Sequence, residues 1–496
     1  MTISPVVGSN TFLTQQLVDT RNQLDELQAQ LGSGRKSETY RGLGRDAAAD
    51  VAFRQQISTL QGYQQTIDRV NIRLGIYDNA LTQIDDLTGE ARGAINPNAF
   101  EVLGNGRTLA QETARVSLGE ALSILNVQAD GRYVFSGRSA DVKPVVDVDT
   151  LLDGEGGRAG FRQAVDERKQ ADLGTSGLGR TTVSRVTDTV TFAEDGAHPF
   201  GFKIDAINNT LSNVTVTSTA GPPRSEDFQF TAQPVAGETI RIETLLPDGS
   251  RETITLTAAT TAGEENTFVI GATPTDTATN FEAALTAAVQ ASAGTALEAA
   301  SAVQAGNDFF TTTAGQAPQR VDGPPFDTAT ALRDGSADTV IYYVGDNAAD
   351  DPRTTSSARI DSSLVIDYGA RANEPALSQA IRSLAVFAVE TFSETDTNDS
   401  DRYTELATRT RQNLSFPSGT ESITDIHVEI VGISEAVESA RQRHISAENT
   451  LTQMVEEIEG INLEEVSAQI VTLQTRLQAS YQTTALLNRL SLTNYI

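Results

Sequence analysis

The sequence has no cysteine and no tryptophan, and only four of its 496 residues are lysine (Lys36, Lys143, Lys169 and Lys203). The absence of cysteine excludes disulfides, thiolate metal sites, redox motifs and cysteine nucleophiles. No run of 18 apolar residues occurs, so a membrane-spanning helix is not expected. Hydrophobic residues make up 39% and charged residues 21% of the chain, values that are typical of a chain able to bury its own cores.

Positive charge is scarce. The chain has 37 basic and 66 acidic residues, a net charge of −29, whereas a surface that follows phosphates needs clustered positive charge. We therefore expect no nucleic-acid partner and no attraction to anionic membranes. Residues 151–420 carry a net −18, against −4 for residues 1–150 and −7 for residues 421–496. This distribution predicts a solvated domain in the middle, carried by ends that pack.

The N-terminal part carries apolar residues at alternating steps of four and three, the 3.5-residue period of helices that pack along their length. One such seam covers residues 13–31 and ends at Gly32 and Gly34. The pattern resumes over residues 53–84, and a shorter helix is predicted over about residues 108–126. None of these helices buries its apolar stripe alone, because most helical stability in water comes from tertiary packing.

The C-terminal part is more regular. Steps of four and three run from Ile426 to Ile461, about five heptads or about 50 Å of helix, and include Ala447 and Met454. His444 also lies on this seam, where a packed core histidine is the better interpretation than a catalyst. Gly460 and Asn462 interrupt the pattern before a last helix.

The middle of the chain changes to a period of two. Residues 239–245 and 253–257 alternate around a Pro247–Ser250 turn, which predicts a β-hairpin. Further strands are predicted over the segments 213–217, 227–231, 267–270 and 339–344. An alanine-rich stretch at 278–304 predicts one or two helices, and the helical period returns over residues 374–392, where Pro375 occupies a tolerated first-turn position.

These patterns predict a mainly α chain with an inserted β-rich domain. Its N- and C-terminal helices pair in a coiled-coil-like bundle. We expect terminal helices at 1–40 and 455–496, a helical bundle domain at 41–150 and 365–454, and a β-rich α+β insertion at 151–364.

Signals for catalysis are weak. The sequence contains no H-E-x-x-H, G-x-S-x-G or P-loop motif. The acidic run Asp396–Asp401 lacks the glycine and the terminal glutamate of a calcium loop, so it is interpreted as a solvated loop. An enzyme in the middle domain and a helical sensor with an outer β-domain are the competing hypotheses, and the sensor needs a membrane helix. We expect no enzymatic activity, cofactor or metal.

Several segments resemble the bacterial flagellin family. The runs Leu473–Tyr481 and Leu490–Ile496 resemble that family's ending, L-Q-A-S followed by S-L-x-[DN]-Y-[LI]. Residues 31–35 (LGSGR) resemble its L-[ST]-[ST]-G-[KR] helix end. Within the family, Asp130–Gly137 (DGRYVFSG) is similar to the G-x-Y-[LV]-F-[AS]-G segment of hook-associated proteins at the hook–filament junction. Residues 373–377 (NEPAL) resemble the segment before the last long helices.

The resemblance implies a structural subunit of the flagellum that joins hook to filament, with flagellin itself as the alternative. It implies terminal helices that line the inner tube and an insertion that faces outward. It also implies export without a cleaved signal to an extracellular place in the flagellum; the opening residues contain no secretory signal. The implied partners are copies of the chain, the hook and other hook-associated proteins, flagellin, and a cytosolic export chaperone near the C-terminus.

The residues expected at the assembly interface are the apolar members of these seams. They are Leu13, Leu17, Leu24, Leu27, Leu31, Ile57, Leu60, Ile67, Ile458, Ile470, Leu473, Leu477, Leu487, Leu490, Leu492 and Tyr495.

Overall fold

The computed structural model describes residues 6–263, 265–310 and 316–493, and the side chains of residues 12, 14–263, 265–310 and 316–486. About 52% of the chain is helical. Long helices lie at both ends and the strands concentrate in the middle, which confirms the predicted mainly α chain with a β-rich centre.

The described residues form eleven α-helices, and most of the predicted ones are present. The helices are α1 (Val6–Ser33), α2 (Ala47–Ala94), α3 (Leu109–Leu125), α4 (Val148–Asp153), α5 (Phe161–Leu173), α6 (Pro274–Ser292), α7 (Glu298–Phe309), α8 (Pro375–Val389), α9 (Asp399–Asn413), α10 (Ile423–Glu459) and α11 (Leu463–Thr493). Short 3₁₀ helices cover Tyr40–Asp46 and Pro352–Thr355, and a π-turn at Ala293–Leu297 joins α6 to α7.

The strands form two four-stranded sheets and three small ribbons. They are β1 (Gln128–Ala129), β2 (Arg132–Tyr133), β3 (Thr181–Val186), β4 (Thr189–Glu194), β5 (Lys203–Asn209), β6 (Val214–Thr219), β7 (Ser225–Phe230), β8 (Thr239–Leu245), β9 (Arg251–Ala259), β10 (Thr267–Val269), β11 (Gln319–Val321), β12 (Leu332–Asp334), β13 (Ser357–Arg359) and β14 (Val365–Asp367). The sheet orders are β3-β4-β7-β6 and β10-β9-β8-β5.

The chain divides into two compact units. The first contains the residues up to Arg69, the segment Arg359–Val365 and the residues from Glu435 onward. The second contains Val70–Ala358 and Ile366–Ser434. The three-part division expected from the sequence stays a prediction. No helix in the described part of the chain has the length and apolarity that crossing a membrane requires.

In the second unit, the two sheets share an apolar core with α6. Phe192, Phe228, Phe230, Ile242 and Phe281 are all 0% exposed in this core. The predicted hairpin is present as β8 and β9, which are antiparallel with Thr239 opposite Thr257 and Leu245 opposite Arg251. The period of two therefore does separate a buried from a solvated face.

A capping box begins α3 in the helical part of the second unit. Thr108 and Gln111 form a reciprocal capping box at the start of α3, which satisfies two otherwise free N–H groups. The Gln111 side chain also donates to the carbonyls of Phe387 and Glu390 at 2.9 and 2.8 Å. One buried glutamine thus starts α3 and holds the end of α8.

One predicted strand is wrong. The segment 339–344 makes only isolated bridges, between Ala159 and Thr339 and between Val145 and Tyr343. The alternation of apolar and polar residues in this segment arises from tertiary packing, because Val340 and Tyr342 are buried. The Tyr342 hydroxyl also donates to the carbonyl of Ala372 at 3.0 Å. The side chains are packed without a hydrogen-bonded ladder.

The acidic run expected to be a solvated loop is partly helical. α9 begins at Asp399, which is 5% exposed and accepts a hydrogen bond from the backbone N–H of Ser393 at 2.7 Å. Arg402 pairs with Asp399 at 2.7 Å. Carboxylates in a first turn also match the helix dipole, so the acidic composition here marks a helix start.

Candidate assembly interface of the terminal helices

The two terminal helices of the first unit, α1 and α11, lie against each other and run antiparallel. Residues 16–20 of α1 line a groove with residues 476–484 of α11, and residues 23–30 line another with residues 465–476. Residue numbers that rise along α1 therefore face residue numbers that fall along α11, so the two helices are antiparallel. The seams predicted from the heptad pattern therefore meet, at least over these residues.

The seam between α1 and α11 is only partly shielded from solvent. Leu17, Leu24 and Leu27 on α1 are half-buried. On α11, Ile470 and Leu477 are 8% and 7% exposed. Two helices cover one side of each other, so a stripe of this kind is completed only when further helices pack on it.

Both helices also carry large apolar side chains outside the seam. The exposed fractions are 68% for Phe12, 49% for Val18, 62% for Val471, 55% for Tyr481 and 59% for Leu486. Single exposed apolar residues are common on protein surfaces. Here they occur on two helices whose seam is itself incompletely buried, which is the pattern of elements that pack on more than one side.

A tight corner joins α10 to α11 and holds the end of α1. The backbone N–H of Lys36 donates to the carbonyl of Glu459 at 2.7 Å, and that of Ile461 to Gly34 at 3.3 Å. Gly34 has a φ of +71°, a conformation that favours glycine and ends helices. Asn462 then caps α11, since its Oδ1 accepts from the N–H groups of Glu464 and Glu465.

Charged side chains reinforce this corner. Arg54 of α2 pairs with Glu459 and, at 3.2 Å from Nε, with Asp50. Arg35 approaches Glu459 at 3.6 Å. The hydrogen bond between Arg54 and Glu459 raises the pKa of that guanidinium, while desolvation opposes the rise. Asp50 is 0% exposed, so Arg54 provides a buried carboxylate with an ionic partner.

α2 and α10 continue the packing within the first unit. Ile57 and Leu60 on α2 are half-buried, as is Ile458 on α10, and Ile67 is 0% exposed. These four predicted interface residues face inward, as the heptad pattern indicates. They pack inside the unit.

The structure places the remaining predicted interface residues as follows. Leu473 is half-buried in the α1–α11 groove, and Leu31 is 37% exposed near the end of α1. The others lie outside the described side chains: Leu13, Leu487, Leu490, Leu492 and Tyr495.

His444 is a packed core residue, as predicted. It is 4% exposed, stacks on Tyr63 with ring centroids 5.6 Å apart, and its Nε2 lies 2.7 Å from the carbonyl oxygen of Ile360. A carbonyl oxygen only accepts, so Nε2 carries the proton in this contact.

The predicted seam of α10 shifts after His444. Ala447 is exposed and Met454 is 41% exposed, so their predicted inward positions are wrong. Glu448 and Val455 face inward instead, and the Glu448 carboxylate accepts hydrogen bonds from Gln61 and Gln64 at 2.8 and 2.9 Å. Two successive four-residue steps at this point move the buried stripe by one position along α10. The two glutamines on α2 that hydrogen-bond to Glu448 were the feature of the sequence that could have indicated this shift.

The second unit holds a buried ionic cluster at the start of α8 that the sequence did not reveal. Glu374 pairs with Arg353 and accepts from the backbone N–H of Arg371 at 2.8 Å. Arg353 also reaches Glu429 at 3.1 Å. Burial raises the pKa of Glu374 to about 7, although Arg353 and the backbone contact oppose the rise.

No group of three histidine, aspartate or glutamate side chains suited to a metal occurs within the described ranges. In comparisons with known proteins, no protein-family model matches the chain and no curated protein matches it.

Proposed function

We propose that this chain is a structural subunit of the bacterial flagellum, of the hook-associated type that joins hook to filament, and that it has no catalytic role. The observation that carries the proposal is the α1–α11 pair, whose α1 leucines Leu17, Leu24 and Leu27 are only half-buried. Phe12, Val471 and Tyr481 on the same two helices are exposed. The resemblance of residues 31–35, 130–137 and 473–496 to flagellin-like proteins supports it.

In this role, the terminal helices pack with those of neighbouring subunits. Fully burying one large apolar side chain contributes about 1.5–3 kcal/mol, against an ordering cost of about 1–2 kcal/mol per residue. Assembly is then coupled to the ordering of the chain ends. Head-to-tail contacts of this kind build rings or helical tubes, outside the cell and after export through the flagellar channel.

The alternative within this class is a flagellin, the filament subunit itself. A junction subunit joins two different partners and is present in few copies, whereas a flagellin elongates by itself on a seed. Adding purified chain to filament fragments separates them, since only a flagellin continues to elongate the fragments. The expected result is binding at fragment ends without further growth.

Val471→Glu tests the interface. We expect this variant to lose binding to fragment or hook ends, because its side chain, 62% exposed on α11, becomes charged where a neighbour packs. Val186→Glu is the matched control, since Val186 is 75% exposed on β3. Equal binding of both variants, with the thermal unfolding of each unchanged, overturns the proposal.

A further inference from the structure

The outer strands of the two four-stranded sheets differ in how their free edges are protected. The outer strands are β3 and β6 in one sheet and β5 and β10 in the other. An exposed edge presents unpaired N–H and C=O groups, so proteins block it with charges, side-chain caps or bulges.

Three of the four edges are blocked. On β5, the Glu194 carboxylate accepts from the N–H of Ile204 at 2.9 Å, and Arg224 donates to the carbonyl of the same residue. On β10, the Asn280 amide donates to the carbonyl of Val269 at 2.8 Å. β3 carries Arg185, a charge on the edge strand that pairs with Glu282.

The free edge of β6 is protected only at its start. The N–H of Thr231 donates to the carbonyl of Asn213, and bonding alternates along antiparallel strands. The backbone groups of Val216 and Ser218 therefore point away from β7, and the described residues provide them with no partner. The only cap is at the start of the strand, where the Asn209 amide donates to the carbonyl of Val214 at 3.0 Å.

Charge is absent as well. Residues 206–223, which include the whole of β6, contain no charged side chain, although the chain has a net charge of −29. The strand alternates Val214, Thr215, Val216 and Thr217, and both valines are half-buried against the sheet core. Two such acidic chains approach each other at this strand without like charges meeting across the contact.

We propose that β6 pairs antiparallel with β6 of a second copy of this chain, so that two four-stranded sheets join into one of eight strands. The free groups of Val216 bond those of Ser218 in the other copy, and Thr217 faces its own equivalent on the two-fold axis. Such a contact is isologous. It is separate from the terminal helices and does not depend on the proposed function.

The absence of cysteine from the chain makes a direct test possible. Across the two-fold axis Thr217 forms a non-hydrogen-bonded pair, whose Cα atoms lie about 4.5 Å apart, within disulfide range. We expect Thr217→Cys to form a disulfide-linked dimer under mild oxidation. Thr182→Cys, which is also exposed but lies on the blocked strand β3, is the matched control and stays monomeric.

A second variant keeps the proposal falsifiable without oxidation. Thr217→Lys places two like charges opposite each other across the interface, so we expect the dissociation constant of the dimer, measured by sedimentation, to rise at least about tenfold. Thr182→Lys leaves it unchanged. The proposal is overturned if Thr217→Cys stays monomeric, if Thr182→Cys is linked as readily, or if the dimer survives Thr217→Lys. The last result assigns dimerisation to another surface, such as the terminal helices.

Discussion

Glu374 shows how one residue can carry a pH dependence that the sequence conceals. Its carboxyl is buried at the start of α8, and burial raises its pKa from 4.5 to about 7 against the opposing effect of Arg353. The native state thus holds this proton more tightly than the unfolded chain. The resulting stability is fully present below about pH 4.5 and is lost as the pH rises through about 7.

Replacing Glu374 by glutamine removes this contribution. Relative to Glu374→Gln, the wild type is expected to lose up to about 3 kcal/mol of unfolding free energy across this pH interval, at about 1.36 kcal/mol per pKa unit. Denaturant titrations of both proteins at several pH values measure the difference. Glu438→Gln, an exposed change on α10, is the control, and parallel profiles for wild type and Glu374→Gln contradict the prediction.

Among the elements, the corner between α10 and α11 depends on a single small residue. The N–H of Gly460 donates to the carbonyl of Glu456 at 2.7 Å, and a Cβ on Gly460 would lie 2.4 Å from that oxygen. A methyl group on Gly460 would therefore displace the corner with which the backbones of Lys36 and Gly34 form hydrogen bonds. Glycine is therefore required by contact at this position and not only as a helix break.

Gly460→Ala is expected to destabilise the first unit by about 1–3 kcal/mol, the usual cost of overpacking. Hydrogen exchange at the Lys36 amide should accelerate together with the drop in melting temperature. Gly62→Ala is the matched control, because Gly62 lies inside α2 with no atom within 4 Å of its Cβ position, and it should stabilise by up to about 1 kcal/mol. An unchanged Lys36 exchange rate in Gly460→Ala argues against this account.

Elements with a strong period were predictable from the sequence. The seam of residues 53–84 faces inward as expected within α2, and α3 lies within the predicted range of about 108–126. α5 was missed because charged residues occupy its buried face: Arg168 pairs with Asp172, and Glu167 with Arg320. Arg320 lies 153 residues away from Glu167 along the chain, and a partner at that distance cannot be predicted from a local pattern.

The candidate interface was predictable in part for the same reason. The α1 seam and its pairing with α11 follow from the heptads, and Leu17, Leu24 and Leu27 lie in or beside it. The apolar residues outside the seam, such as Phe12 and Val471, do not fit the heptad pattern, so the sequence did not predict them as interface residues. That they are exposed can be recognised only once the pairing of α1 with α11 is known.

For the whole molecule, the terminal helices and the second unit differ in how completely their apolar residues are buried. The core of the second unit has many side chains with no exposure, whereas the α1 seam residues are half-buried at Leu17, Leu24 and Leu27 and exposed at Leu31. Segments with few buried apolar contacts open at low free-energy cost. The free chain should therefore be least protected at its two ends.

Trypsin can test this difference, because exposed arginines lie in both regions. We expect cleavage of the free chain at Arg21 in α1 and Arg476 in α11 to precede cleavage at Arg411, which is also exposed and helical but lies in α9 of the second unit. After incorporation into a tubular assembly, cleavage at Arg21 and Arg476 should slow at least about tenfold, since ordering a helix against neighbours by more than about 1.4 kcal/mol lowers its open fraction by that factor. The Arg411 rate should remain unchanged. If the regions 1–30 and 470–496 resist digestion in the free chain as firmly as the middle does, the ends are already complete and have no need of neighbours.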